Sequence, residues 1–452
     1  MNLSIKRIFI KEKKMGDPLE KYEEIHEKYF SSLLAGKGPK DISKYDIIGY
    51  NPVLIVKFDN QFTIKTYKTT QKRNKDFWNY LRKLVKGLDF SNRGFPINKL
   101  GFVGYLSFES FKFIEDINEK NLSNYPYPLL EIALYKNYIL FDKKNRKQYE
   151  IELDYENYKT ITETYTETAP MKMMLKRKEK LLEFKKDKYL ENVKKIKEYI
   201  RNGDVYEVNL TQQFSFPTLK HPFDLFKKLY AGNPAPYSAF LNIPERQVIS
   251  NSPEMFIKAK GSKVETRPIK GTAARNTNSG IDELNRKKLI NSEKDQAELF
   301  MIIDLLRNDI SKIAEVGSVK VKNSKRLEKY LNVYHLIGIV EAVMGKQFDY
   351  VDLLKAVFPG GSITGCPKKR SIEIIKELEK YERNLYTGTI FIMNKSYLNS
   401  SIAIRTAINT LSGLFINSGG AITIDSNPED EYSEMLDKIN NFMEILNEEN
   451  FS

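Results

Sequence analysis

Apolar and polar residues alternate along KYDIIGYNPVLIVKFDNQFTIKTY (residues 44–67), the period-two pattern of paired strands with one buried face. LEIALYKNYILFDKKNRKQYEIEL (130–153) repeats that pattern around a polar turn at Lys143–Arg146, which predicts a hairpin. Between 156 and 187 the periodicity disappears into a polar, Thr/Lys/Glu-rich stretch that reads as a linker. Helical spacing then takes over. Leu190, Val193, Ile196, Tyr199 and Ile200 predict a helix over about 187–202, with Gly203 placed to stop it. Strand patterns return at 205–216, 235–243 and 248–271, and the remainder is richer in helices. Strands and helices mix without a βαβ rhythm, which predicts an α+β fold with antiparallel sheets. The chain divides into an amino-terminal region (1–155), a connection (156–187) and a larger region (188–447).

Two helices break the pattern in the same way. Over 294–309, Leu299, Ile302, Leu305 and Leu306 form one apolar face, and Asp295 and Glu298 project onto it. Buried carboxylates are normally paired or bound to metal. The dipole at a helix start is an alternative account of Asp295, and a weaker one of Glu298. Over 430–446, Glu431, Glu434 and Lys438 form a stripe bordering Met435, Ile439, Phe442 and Leu446. Such a stripe on one helix is commonly a solvated salt-bridge face. Two helices that each carry an i, i+3 carboxylate pair could instead share one Mg²⁺.

Two glycine-rich turns and one isolated cation add anion-binding chemistry. FPGGSITGCPKKRS (358–371) runs into a helix with Pro367 near its first turn, so its free N–H groups can take a carboxylate or phosphate. It does not fit the phosphate-loop pattern G-x-x-x-x-G-K-[ST]. NSGGAITIDS (417–426) precedes the acidic helix, and Arg405 is a charge inside an otherwise apolar strand-like run. A charge so placed is usually paired, and a substrate carboxylate can be the partner.

Composition narrows the classes. The chain has 452 residues, 41% of them apolar and 29% charged, as in ordinary globular proteins. No apolar run reaches the roughly 18 residues of a membrane span. The amino terminus lacks the apolar core of a signal peptide, so a cytoplasmic location is expected. Cys366 is the only cysteine, which excludes internal disulfides and cysteine-based zinc sites. The formal charge of +14 suggests an anionic partner or simple coding bias, since lysine greatly outnumbers arginine. No nucleic-acid-binding motif accompanies it, so no nucleic-acid partner is expected.

Nine segments then occur in one order: GDVYEVNLTQ (203–212), NPAPY (233–237), SNSPE (250–254), RPIKGT (267–272), the AE…DLLRND run (297–309), GSITGCPK (361–368), YTG (386–388), IRTA (404–407) and SNPEDEYSE (426–434). Together they resemble the chorismate-utilising enzymes: the anthranilate and aminodeoxychorismate synthase components I and the isochorismate and salicylate synthases. A weaker match (KYDIIGYNP, and GFVGYLSFE at 101–109) extends the likeness to nearly the whole chain. The resemblance implies two antiparallel sheets packed as a sandwich, with helices outside. Lysine in PIKGT, together with GSITG, is similar to the aminodeoxychorismate synthases of folate synthesis. Anthranilate synthase component I is the alternative.

The same resemblance implies roles. Lys270 matches a nucleophile that attacks C2 of chorismate, and Glu254 the acid that protonates the departing 4-hydroxyl. Glu298 and Glu434 match Mg²⁺ ligands, with Asp295 and Glu431 nearby. Gly271, Thr272, His335, Thr364, Tyr386, Arg405, Gly419, Gly420 and Lys438 match groups around the substrate. A tryptophan pocket would fall at Ser32, Lys44, Tyr45, Asp46, Ile47, Pro236, Tyr237 and Ser238. Desolvation and nearby cations (Mg²⁺, Lys438, Arg405) are expected to lower the pKa of Lys270.

Some positions depart from the family pattern. Asp295 stands where glutamate is commoner. Glu207 stands where glutamine is frequent and the salicylate-type enzymes carry a lysine base, which argues against water attack at C2. Ala273–Ala274 replaces the more usual Arg-Pro. A glutaminase needs a cysteine nucleophile, and Cys366 lies inside the glycine loop, where it reads as a packing residue. A separate glutamine amidotransferase subunit is therefore implied as the ammonia source.

Overall fold

The computed structural model describes residues 3–90, 92–117, 121–123, 125, 127–161 and 186–448. Most of the connection expected at 156–187 lies outside them.

Among the described residues every ladder between named strands is antiparallel, and the strands form one continuous network in which two sheets share two long strands. Tyr45–Phe58 and Leu130–Asp142 pair along their whole length. Their Tyr45/Asp142 halves belong to the first sheet. There Leu130–Asp142 continues to Lys147–Tyr155 and Ile5–Lys14. On the other side, Tyr45–Phe58 is followed by Ser31–Ala35, Tyr237–Ile243, Arg246–Ser252, Thr406–Thr410, Gly413–Ile422 and Glu207–Phe216. Their Phe58/Leu130 halves belong to the second sheet. Phe62–Lys65 pairs with Tyr45–Phe58 there. Beyond Leu130–Asp142 come Phe102–Leu106, Thr389–Asn394, Tyr397–Ile402, Met255–Lys260 and Lys263–Arg267. Val333–Val343 then pairs with both Lys263–Arg267 and Ile269–Ala274, and Lys320–Lys329 lies along its other side. The register slips at Pro52/Leu54, next to Asn51 at φ 58°, where the shared strand passes between sheets. A bulge there adds the bend and twist that the change of sheet requires.

The predicted hairpin at 130–153 forms as Leu130–Asp142 and Lys147–Tyr155. The predicted helix is Lys186–Arg201, followed by Gly203 at φ 79°. The strand pattern at 248–271 forms four strands. Pro253, the Gly261 turn and Pro268 interrupt it, because proline has no N–H for a ladder. The carboxy-terminal helix is also two helices, Pro428–Asp437 and Asn440–Glu448, parting at Lys438.

The helix Pro222–Gly232 covers one face of the first sheet, packing Phe223, Phe226 and Leu229 on Phe240, Ile249 and Leu414. The helix Glu293–Ser311 lies on Ile269–Ala274 and Val333–Val343 of the second sheet. The helix Pro428–Asp437 lies on Gly413–Ile422 of the first. The two acidic helices therefore approach from different sheets.

Candidate active site

Lys270 sits on the strand Ile269–Ala274, at a register slip between Lys270↔Leu336 and Thr272↔His335. The extra residue is Gly271, at φ 74°. A Cβ there would lie 2.9 Å from Cγ of Asp295, so only glycine lets this strand close on the helix Glu293–Ser311. The Lys270 side chain is buried. Its Nζ donates to Glu207 Oε1 at 2.8 Å and stands 3.7 Å from Glu298 Oε2. Burial works to lower its pKa, but Glu207 and Glu298 outweigh burial and hold the ammonium above its ordinary range. The expected lowering is reversed because three carboxylates, Glu207, Glu298 and Glu254, face this lysine.

Glu254 follows Pro253 and is 4% exposed. Its Oε1 accepts from Ser362 Oγ at 2.8 Å, which ties it to the glycine loop. Burial raises its pKa to about 7, against the opposing pull of the Ser362 bond and the Lys270 charge. The loop itself is seated by close contacts. A Cβ at Gly361 would meet Leu305 at 2.4 Å, and one at Gly365 would meet the Glu207 carbonyl at 2.0 Å. The loop is thus wedged between the acidic helix and the strand that carries Glu207.

The two acidic helices begin on side-chain caps. Ser292 accepts from Asp295 N, and Asn427 from Glu429 N. Glu431 is buried and accepts from Ser426 Oγ at 2.6 Å. Glu434 pairs with Lys438 at 2.9 Å, and Lys438 also donates to Gly419 O at 2.8 Å. The Lys294 ammonium stands 4.0 Å from Glu298 and 4.0 Å from Glu431, bridging the two helices. Burial raises the pKa of Glu298, as does nearby Glu207, and burial with the Glu434 charge raises that of Glu431. Lys438 holds Glu434 below its usual range. Among the described residues, no three His, Cys, Asp or Glu side chains converge as metal ligands. The donors are nonetheless all carboxylate oxygens, and two already surround one ammonium, which suits a hard divalent cation.

Arg405 sits at φ 49° and is half-buried, with no hydrogen bond or ion pair to its guanidinium among the described residues. Burial lowers its pKa. Its charge adds to burial in pushing His335 down to about 3, so that imidazole is neutral. His335 Nδ1 and Thr272 Oγ1 are hydrogen-bonded at 3.0 Å. Thr364 is fully buried and donates to Gly360 O at 2.8 Å, and Tyr386 is buried. A Cβ at Gly419 would meet Leu210 O at 2.1 Å, and Gly420 lies beside Glu431 and Lys438. The half-buried Cys366 is paired across from Glu207 in a short strand.

Pattern reading missed Arg383 and Glu379. Arg383 is 1% exposed and binds both oxygens of Glu379. It also donates to Ile363 O of the glycine loop at 2.8 Å and to Asn209 O at 2.7 Å. The pair stands i, i+4 in ELEKYER, which resembles an ordinary surface pair.

Six of the eight positions suggested for tryptophan, Lys44, Tyr45, Ile47, Pro236, Tyr237 and Ser238, line a cavity of about 520 Å³. Asp46 and Ser32 do not. Strand alternation turns Asp46 away from Tyr45 and Ile47, and its carboxylate accepts from Lys143 Nζ at 2.6 Å and Gly36 N at 2.9 Å. Ser32 is buried within the sheet opposite Gly49. No helix among the described residues is long and apolar enough to cross a membrane.

The family model described as chorismate binding enzyme matches residues 38–444. Aminodeoxychorismate synthase component 1 of Bacillus subtilis is 34% identical over 418 residues, covering 87% of each chain. Anthranilate synthase component 1 of Aquifex aeolicus is 33% identical over 369 residues, covering 76% of this chain and 74% of its own. The crystal structure of anthranilate synthase component I from Streptococcus pneumoniae superposes with a TM-score of 0.73 at 26% identity, covering 87% of this chain and 91% of that one.

Proposed function

The chain belongs to the chorismate-binding enzymes, and within that family we propose that it is the aminating component of an aminodeoxychorismate synthase. It would convert chorismate and ammonia to 4-amino-4-deoxychorismate in the cytoplasm, with a partner amidotransferase releasing the ammonia from glutamine. The observation that carries this reading is Lys270, buried 2.8 Å from Glu207, with Glu254 at a pKa of about 7 within its electrostatic reach. The aminodeoxychorismate synthase relatives, similar over most of the chain, support it.

Lys270 starts as an ammonium and must lose a proton before attack, and Glu207 is the carboxylate in contact with it. Nζ then bonds to C2, the ring double bonds shift, and the C4–O bond breaks. Glu254 supplies the proton with which that oxygen leaves as water. General-acid help of this kind is worth roughly 10²–10⁴-fold in rate. Ammonia bonds to C4, the double bonds shift back, and the C2–Nζ bond breaks to free Lys270. Arg405, beside neutral His335, is a charge available to a substrate carboxylate. Glu298 and Glu434, with Asp295 and Glu431 alongside, would hold Mg²⁺. When bound, that ion would neutralise a substrate carboxylate.

The test is intact-mass measurement of the protein with chorismate and Mg²⁺, followed by product analysis with ammonium. The reading expects an adduct on Lys270 and aminodeoxychorismate, which an added lyase converts to 4-aminobenzoate. Anthranilate formed without a lyase, and no adduct, would instead favour the second reading, anthranilate synthase component I, to which the Aquifex relative points.

A further inference from the structure

Two of the ordered sequence segments end on residues that the proposed reaction leaves without a task, DLLRND on Asp309 and GSITGCPK on Lys368. The two residues meet. Lys368 Nζ donates to Asp309 Oδ2 at 2.6 Å, joining positions 59 residues apart. Asp309 is 3% exposed and the Lys368 side chain 13%. Lys312 also donates to Asp309, at 2.8 Å, but it is an i, i+3 neighbour with its side chain mostly in solvent, an ordinary surface contact. Local electrostatics disfavours both members of the deeper pair. Asp309 lies in the last turn of the helix Glu293–Ser311, at the negative end of its dipole. Lys368 is the first residue of the helix Lys368–Leu378, at the positive end. Burial opposes the ammonium further and lowers its pKa. Neither helix gains by carrying its own charge there, so what the pair contributes is the join between them.

That join encloses the glycine loop. Lys368 Nζ also donates at 3.1 Å to Val357 O, on the last residue of the helix Tyr350–Val357. Val357 and Lys368 flank the loop 358–367, so one ammonium closes the two ends of the loop on each other and fastens both to Asp309. One turn before Asp309, Leu305 fills the space beside Gly361 in the middle of the loop. The next loop residue, Ser362, donates to Glu254 Oε1 at 2.8 Å. Towards the start of the same helix, Glu298 stands 3.7 Å from Lys270. One helix therefore carries a carboxylate beside the lysine and, near its far end, the anchor of the loop that holds Glu254.

We infer that Asp309 and Lys368 are positioning residues: the pair clamps the glycine loop to the helix Glu293–Ser311 and so holds Glu254, through Ser362, in register with Lys270. Neither residue touches the substrate. The inference deepens the reaction proposed above and rests on its reading of Lys270 as nucleophile and Glu254 as acid. With the clamp opened, the loop keeps its contact with Leu305 but its two ends are free to part. Ser362 then leaves Glu254, and the acid loses its fixed place over the bond it must break.

The test is steady-state kinetics of the full chain with chorismate, Mg²⁺ and ammonium across pH, beside urea midpoints. Lys368→Met should lower kcat roughly 10²-fold, the usual cost of about 1 Å of misplacement, while KM for chorismate changes little. It should also move the falling limb of kcat/KM to higher pH, because Glu254 loses the Ser362 bond that favours its charged form. Asp309→Leu combined with Lys368→Met removes both charges, so it should recover stability that either single change loses, yet stay as slow as Lys368→Met. Lys368→Arg, which keeps the charge and its donors, should recover part of kcat and bring the limb back towards its parent position. The inference is overturned if Lys368→Met leaves kcat and the limb in place. It is overturned equally if the double variant regains kcat along with stability, which would make the pair a structural contact only. Glu254→Gln in the parent separates the two failures. A limb that survives Glu254→Gln overturns the acid, whereas one that vanishes with Glu254→Gln but is unmoved by Lys368→Met overturns the clamp.

Discussion

The guanidinium of Arg383 grips both oxygens of the Glu379 carboxylate, at 2.6 and 2.9 Å, in a place almost closed to solvent. Glu379 also accepts from Thr211 N, and Arg383 donates to Ile363 O and Asn209 O. One ion pair thus fixes the glycine loop to the strand that carries Glu207. Glu379→Gln leaves a buried cation without its partner, a change that typically costs about 3–5 kcal/mol. A clearly lower urea midpoint is expected, together with a fall in kcat. An unchanged midpoint would show that the pair is not structural.

The pKa of Glu254, about 7, sets a direction with pH. The acid must be protonated to act, so kcat/KM should fall as pH rises through about 7, tenfold per unit on that limb. Ser362 donates to this carboxylate and favours its charged form. Ser362→Ala should therefore raise the pKa and move the limb to higher pH. A limb that stays in place would assign the acid elsewhere. Glu254→Gln should cost roughly 10²–10⁴-fold in kcat.

Lys294 occupies the space between Glu298 and Glu431 as a cation. A divalent ion held by these carboxylates must displace it. Lys294→Ala should lower the Mg²⁺ concentration that gives half-maximal activity, and Glu298→Gln should raise it at least tenfold. Chelation should abolish the activity of the parent protein. A Glu298→Gln variant with an unaltered Mg²⁺ curve would remove this residue from the metal site.

Gly365 stands at φ 131°, where a side chain is strained, and a Cβ would press on the Glu207 carbonyl. The strain alone is worth roughly 1–3 kcal/mol. Gly365→Ala should lower Tm and reduce kcat more than it changes KM for chorismate, because the loop carrying Ser362 must shift. Full activity at a lowered Tm would confine the effect to stability.

The strands were readable where one face is buried and the other wet, as at 44–67 and 130–153. Nothing in that alternation tells that Tyr45–Phe58 serves two sheets, since both use the same period. The break at Lys438 was hidden because apolar residues continue at helical spacing through it. In the site, Asp295 and Glu298 stood out as acids on an apolar face. Lys270 and Glu254 were recognisable from the family motifs rather than from their own pattern. The Lys270–Glu207 contact joins strands from different sheets, so no local spacing reports it. The reversal of the lysine's expected pKa shift follows from that contact.

The two shared strands also govern how the molecule can be assembled. Ser31–Ala35 waits for Tyr237–Ile243, and Phe102–Leu106 waits for Thr389–Asn394. A growing chain therefore holds apolar strand edges open until nearly all of it has been made. Contacts so distant in sequence make folding slow and leave those edges open to aggregation in the meantime. The amino-terminal region cut away from the rest would lose a neighbour in each sheet at once, and it would be insoluble rather than a smaller folded protein.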